Sequence, residues 1–231
     1  MIHRLGKVIS HLWSPQRGPY VLLILLFLTV FVISPLLSAR IVMPIILKAA
    51  FWLIIVAGAL NVSSSKSLRL LALAVVLFSI VVQWPSLSFS EKTIPEIDIC
   101  LSLVMLSIFA LLMIQGFLVT GRPWEHRIVA AIAIYLLLGL IWARLYEAVE
   151  LLAPGAFRVP EGECLNSASL VYFSLVTLAT LGYGDFAPVH IAARNLAVLE
   201  AITGQLYMVI LISRLVSERW AKPVEKQNGE N

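Results

Sequence analysis

Six apolar runs, each close to the length that crosses a lipid bilayer, leave this chain few ways to fold. They fall at residues 20–39, 43–60, 68–84, 97–119, 128–150 and 191–217, with short polar connections between most of them. A spanning helix takes about 20 mostly apolar residues. Inside the hydrocarbon every backbone N–H and C=O must be paired within the structure, which restricts spanning segments to helices or closed barrels, and runs of this length suit helices. Of the 231 residues 60% are hydrophobic and 13% charged, and the mean hydropathy is +0.95, more apolar sequence than a soluble core needs. The reading is an all-α membrane protein with six transmembrane helices.

The charges set an orientation. With the N-terminus inside, Arg4, Lys7, Arg17, Lys66, Arg69, Arg122, Arg127, Arg214, Arg219, Lys222 and Lys226 fall on the cytoplasmic side, 11 of the 17 basic residues. Glu91, Glu96, Asp98, Glu147, Glu150, Glu161, Glu163 and Asp185 fall outside, 8 of 13 acidic residues. This is the positive-inside pattern, and it predicts a multi-pass protein of the cell (inner) membrane with both termini cytoplasmic. It also accounts for the net charge of +4 without a nucleic-acid partner. Basic residues ahead of the first run, with Leu37-Ser38-Ala39, faintly resemble a cleaved signal peptide. The run is nevertheless long enough to span. Lys48 snorkels to the outer surface, and Trp84 reads as an interfacial anchor.

Within this frame the stretch Thr177 to Asp185, TLATLGYGD, stands apart. Gly182 and Gly184 permit backbone angles that other residues reach only with strain, so successive carbonyls of Thr180, Leu181, Gly182, Tyr183 and Gly184 can be turned the same way. A tight surface turn is the plainer interpretation. Against it stands a short helix predicted over Asn166 to Ala179, half a bilayer deep and capped by Asn166 or Ser167. Extended backbone at membrane depth survives only where protein buries it or it lines a wet cavity, so the pair implies a re-entrant loop.

The stretch resembles the selectivity-filter signature of potassium channels, Thr-X-Gly-Tyr-Gly-Asp, with Leu181 at the variable position. Gly204, 22 residues after Gly182, stands where that family's inner helix has its hinge glycine. The resemblance implies a pore domain over 128–217, with an outer helix, a re-entrant pore helix and the filter between helices five and six, and an inner helix. It also implies a homotetramer, since one chain supplies one filter strand, and potassium bound only by backbone carbonyls, with the Thr180 hydroxyl as the innermost ring. The rest divides into a cytoplasmic N-terminus (1–19), a four-helix domain (20–120), a short linker (121–127) and a cytoplasmic tail (218–231).

By the same resemblance Phe173, Thr177, Val176 and Asp185 occupy filter-support positions. Phe173 cannot donate a hydrogen bond to Tyr183, which leaves Thr177. Val176 replaces a glutamate that bonds to the filter aspartate in some bacterial channels, so Asp185 is expected to lack that partner. Ala179 replaces a frequent threonine. On the inner helix, Gln205, Met208, Ile212 and Val216 share one face by their spacing, which lines the cavity by resemblance or is an ordinary packing face. Glu200, an ionisable group within a span, is either a functional acid or a protonated structural residue behind the pore helix. Arg144 and Glu147 are spaced for a local ion pair.

Residues 99–119 hold no Arg or Lys, so the fourth run is no voltage sensor. The linker is short and broken by Gly121 and Pro123, and about 14 residues follow the inner helix, too few for a nucleotide- or calcium-binding domain. The expected function is passive, voltage-insensitive potassium conduction by a bacterial-type channel, with no cofactor and no soluble partner. The alternative is a transporter or regulatory subunit with a pore-like loop, although related transporters carry four degenerate filter segments in one chain. His3, His11, His126 and His190 lie apart, and Cys100 and Cys164 have no ligand spacing, so no enzyme or metal site is expected.

Overall fold

The structure, a computed structural model, describes residues 23–24, 26–28, 95–118 and 124–220. The runs expected at 43–60 and 68–84, Lys48 and Trp84 lie outside the described residues. Helix α1 spans Pro95–Leu118 and α2 spans Trp124–Leu152. Strand β1 is Phe157–Arg158, α3 is Ser167–Leu178, β2 is Ala187–Pro188, and α4 is Ile191–Trp220. Among the described residues, two segments are long and apolar enough to cross a membrane, Arg127–Leu152 and Ile191–Arg214.

Proline sets the starts of the first two helices. Pro95 opens α1, where its fixed φ suits the first turn and its missing N–H costs nothing. Helix α2 begins directly after Pro123, so four residues assigned to the 121–127 linker are helical. Trp124, Glu125, His126 and Arg127 contain no breaker, and nothing in their propensities stops the helix growing back to the proline. At the far end Pro154 and Gly155, with φ +81°, turn the chain after α2. The Glu150 carboxylate accepts from the backbone N–H groups of Gly155 at 2.8 Å and Ala156 at 3.0 Å.

The loop between α2 and α3 departs from the all-α expectation. Phe157 pairs with Pro188 and Arg158 with Ala187 in a two-stranded antiparallel sheet. Two-residue strands are too short to show a period-two pattern, and this pairing joins residues about thirty apart in sequence. It ties the loop to the segment that follows Asp185, and Val189 N–H donating to the Ala156 carbonyl at 2.8 Å reinforces it.

Two apolar clusters hold the helices. In one, Leu106, Phe109 and Met113 of α1 pack with Ile134, Leu137 and Leu140 of α2 and with Leu26. In the other, Tyr146, Phe157 and Phe173 meet edge to face, with centroids 5.0 to 5.5 Å apart, alongside Leu170, Phe186 and Ala193. Helix α3 is wedged between α2 and α4 and contacts both.

Candidate ion-conduction site

Asn166 is the N-cap of α3, with extended backbone, and its side chain accepts from Ser169 N–H at 2.9 Å. Of the two caps the sequence offered, the structure uses Asn166. The helix ends at Leu178, one residue short of the predicted Ala179, which is its C-cap. Its last four carbonyls all find donors. Ala179 N–H donates to Leu175 O, Thr180 N–H to Thr177 O, and Leu181 N–H to Val176 O, at 2.9 to 3.0 Å. The Tyr135 hydroxyl of α2 donates to Leu178 O at 3.1 Å. The bonds from Thr180 and Leu181 are those of a Schellman ending, whose left-handed position is filled here by Thr180 at φ +58°.

From that ending the backbone alternates. Positive φ recurs at Thr180 (+58°), Gly182 (+56°) and Gly184 (+80°), and among the described residues Thr180 is the one non-glycine with positive φ, so Leu181 and Tyr183 lie on the negative side. The side chains of Leu181 and Tyr183 are 58% and 67% exposed within one chain. A Cβ at Gly182 or Gly184 would touch nothing within 4 Å, so these glycines are required by backbone angle, not by space.

The support residues are arranged differently from the sequence expectation. Asp185 does have a partner, because the Tyr172 hydroxyl donates to its Oδ2 at 2.8 Å. Tyr172 lies one helical turn before Val176 and so reaches the same region of the loop, a spacing that could have flagged it. Desolvation pushes the Asp185 carboxyl upward, but the Tyr172 hydroxyl and the backbone N–H groups of Phe186 and Asp185 itself outweigh it and hold the group below its ordinary 3.8. The same bond is the main reason that the Tyr172 phenol is pushed up to about 12. Phe173 is buried in the aromatic cluster, and Val176 is also buried. Among the described residues no hydrogen bond joins Thr177 to Tyr183 within one chain; the Thr177 carbonyl serves the helix ending.

On the inner helix, Gln205, Met208 and Ile212 are exposed within one chain, and α4 runs unbroken through Gly204. Gly204 is where α4 meets the end of α3: a Cβ there would sit 2.2 Å from Leu178 O. Glu200, one turn earlier, is fully buried and bonded to Tyr146 of α2 and Ser174 of α3. Neither Tyr146 nor Ser174 was singled out in the sequence, since each is an ordinary residue of an apolar helix. Arg144 and Glu147 form the expected ion pair at 2.5 Å.

Helix α3 thus ends in a run of alternating backbone hand, and Glu200 of α4 is buried against α2 and α3. Residues 130–218 match the family described as "Ion channel". That match takes in less than half of the chain, and over it the chain is similar to ion-channel domains. Over 64 residues, 28% of this chain, it is 38% identical to "Two pore potassium channel c" of Oryza sativa subsp. japonica, covering 14% of that protein. Over 104 residues, 43% of this chain, it is 29% identical to "Inward rectifier potassium channel Kirbac3.1" of Paramagnetospirillum magnetotacticum, covering 32% of that protein. The chain therefore spans less than two thirds of either relative. No solved structure matches it.

Proposed function

We propose that this chain is one subunit of a potassium-selective channel that conducts passively through a homotetrameric pore. The observation that carries the reading is the alternation of backbone hand over Thr180 to Gly184, directly after the capped end of α3. In an ordinary strand carbonyls point alternately to opposite sides, and a residue-by-residue change of hand turns them to the same side. Four such strands around an axis would stack rings of carbonyl oxygens that replace the hydration shell of a potassium ion. The Thr180 hydroxyl would form the innermost ring.

Tetramerisation would also cover the inner helix. The apolar window of α4 is 11% buried in one chain, against 50% for α2, so most of its face needs lipid or other subunits. In the assembled pore Gln205, Met208, Ile212 and Val216 would line the cavity, Tyr183 would find Thr177 of a neighbouring subunit, and the protein would sit in the inner membrane with both termini cytoplasmic. The lack of basic residues in α1 supports an opening that does not follow voltage.

Gly182→Ala tests the filter. At φ +56° a Cβ is strained whatever the space around it. The variant should assemble like the parent and pass no potassium when reconstituted in liposomes. Undiminished flux would place the pore elsewhere.

A further inference from the structure

Glu200 sits in a closed set of oxygen contacts whose hydrogens can be counted. Its carboxyl meets the hydroxyl of Tyr146 on Oε2 and that of Ser174 on Oε1. The Ser174 oxygen also lies 2.7 Å from the carbonyl oxygen of Gly139. The two contacts to the carboxyl are short and the third is of ordinary hydrogen-bond length, and oxygens this close each need a proton between them. A hydroxyl brings one proton and a carbonyl none. Tyr146 supplies the first proton and Ser174 the second, and the only group left to supply the third is the carboxyl.

We propose that Glu200 is a protonated carboxylic acid that donates from Oε1 to Ser174 and accepts from Tyr146, leaving Ser174 free to donate to Gly139 O. In this form it is a positioning residue for the filter. One side chain of α4 then fixes the pore helix α3 through Ser174 and the outer helix α2 through Tyr146, while Ser174 closes the ring onto α2 at Gly139. An ionised carboxylate only accepts, so it would draw the Ser174 proton away from Gly139 and leave two oxygens in contact with no hydrogen between them. The titratable groups that face Glu200 are the phenols of Tyr146 and Tyr135, both on α2, and α3 presents the Ser174 hydroxyl. The effect on conduction rests on the channel reading, whereas the protonation state does not.

The test compares the full chain with Glu200→Gln in lipid at neutral pH. Infrared difference spectra should show, in the parent alone, the carbonyl stretch of a protonated carboxylic acid. Loss of carboxylate bands instead would overturn the proposal. The glutamine amide carries a donor and an acceptor where the acid has them, so potassium flux should stay within about twofold of the parent. Glu200→Leu, similar in size but without either, should lose at least about tenfold in flux, and Ser174→Ala should shift the acid band by removing its acceptor. Glu200→Gln flux that falls as far as that of Glu200→Leu would show that a neutral donor and acceptor do not suffice and would sink the idea. A parent that shows the acid band yet passes no potassium would instead refute the channel reading and leave the protonation assignment standing.

Discussion

Thr180 occupies a backbone position that helix endings of this kind usually give to glycine. A side chain in the left-handed region costs about 1 to 2 kcal/mol, and its retention here agrees with a use for the hydroxyl at the inner end of the proposed filter. At the outer end of the proposed filter the Tyr172–Asp185 bond ties α3 to the end of the strand within one chain. Its pH dependence follows from the shifts. The Asp185 carboxyl is held below 3.8, so the stability it contributes is present above that value and is lost as pH falls through the lowered one. The Tyr172 phenol is raised to about 12, so its share is present below the ordinary phenol range and lost only as pH rises through about 12. Open-state lifetime should therefore be flat from neutral pH down to about pH 4 on the outer side and shorten below it. Tyr172→Phe should show short lifetimes at neutral pH as well. Single-channel records that do not distinguish Tyr172→Phe from the parent would exclude the tie.

At the scale of elements, α3 is held in one register by both neighbours. Along α4, Glu200 and Gly204 are four residues apart and meet Ser174 and Leu178 of α3, themselves four apart. Along α2, Gly139 and Tyr135 meet the same two positions. Matching steps of one turn put each pair on a single face. The two glycines respond differently to a methyl group. At Gly204 the added Cβ would lie 2.2 Å from the backbone oxygen of Leu178, which cannot move without shifting the end of α3. At Gly139 the nearest atom, at 2.7 Å, is the end of the Leu175 side chain, which can rotate. Alanine gains about 1 kcal/mol of helix propensity at either site, and overpacking costs about 1 to 3 kcal/mol. Gly204→Ala should therefore lower the thermal stability of the assembled protein clearly, and Gly139→Ala little or not at all. Equal losses from the two, measured by thermal unfolding in detergent, would show that the α3–α4 approach is not the tight one.

At the scale of the molecule, the exposed apolar residues of α4 need lipid or other subunits to cover them. On the channel reading, opening should be nearly independent of membrane potential. Helix α1 carries Glu96 and Asp98 in its first turn and no basic residue. A charge that crosses the full field contributes about 2.3 kcal/mol per 100 mV, and a sensor moves three or four per subunit. Bilayer recordings in symmetric potassium should show a shallow dependence. A steep, saturating rise in open probability over a few tens of millivolts would overturn this.

The sequence by itself determined that helices long and apolar enough to cross a membrane would form, where α3 and α4 begin, that Arg144 would pair with Glu147, and that Thr180 to Gly184 would be the unusual backbone. Those are consequences of run length, caps, i to i+3 spacing and glycine, all local. Only the tertiary structure decided what lies between the helices. Tyr172 reaches Asp185 across 13 residues, Ser174 reaches Glu200 across 26, and Tyr146 reaches it across 54. Tyr146 and Ser174 do not differ in type from their neighbours in a way that marks them. The sequence left Glu200 as either a functional acid or a buried structural one, because its environment is set by residues of two other helices. The resemblance marks Gly204 as a hinge, and only the tertiary structure adds that α3 closes in there, with Leu178 O 2.2 Å from where a Cβ would stand.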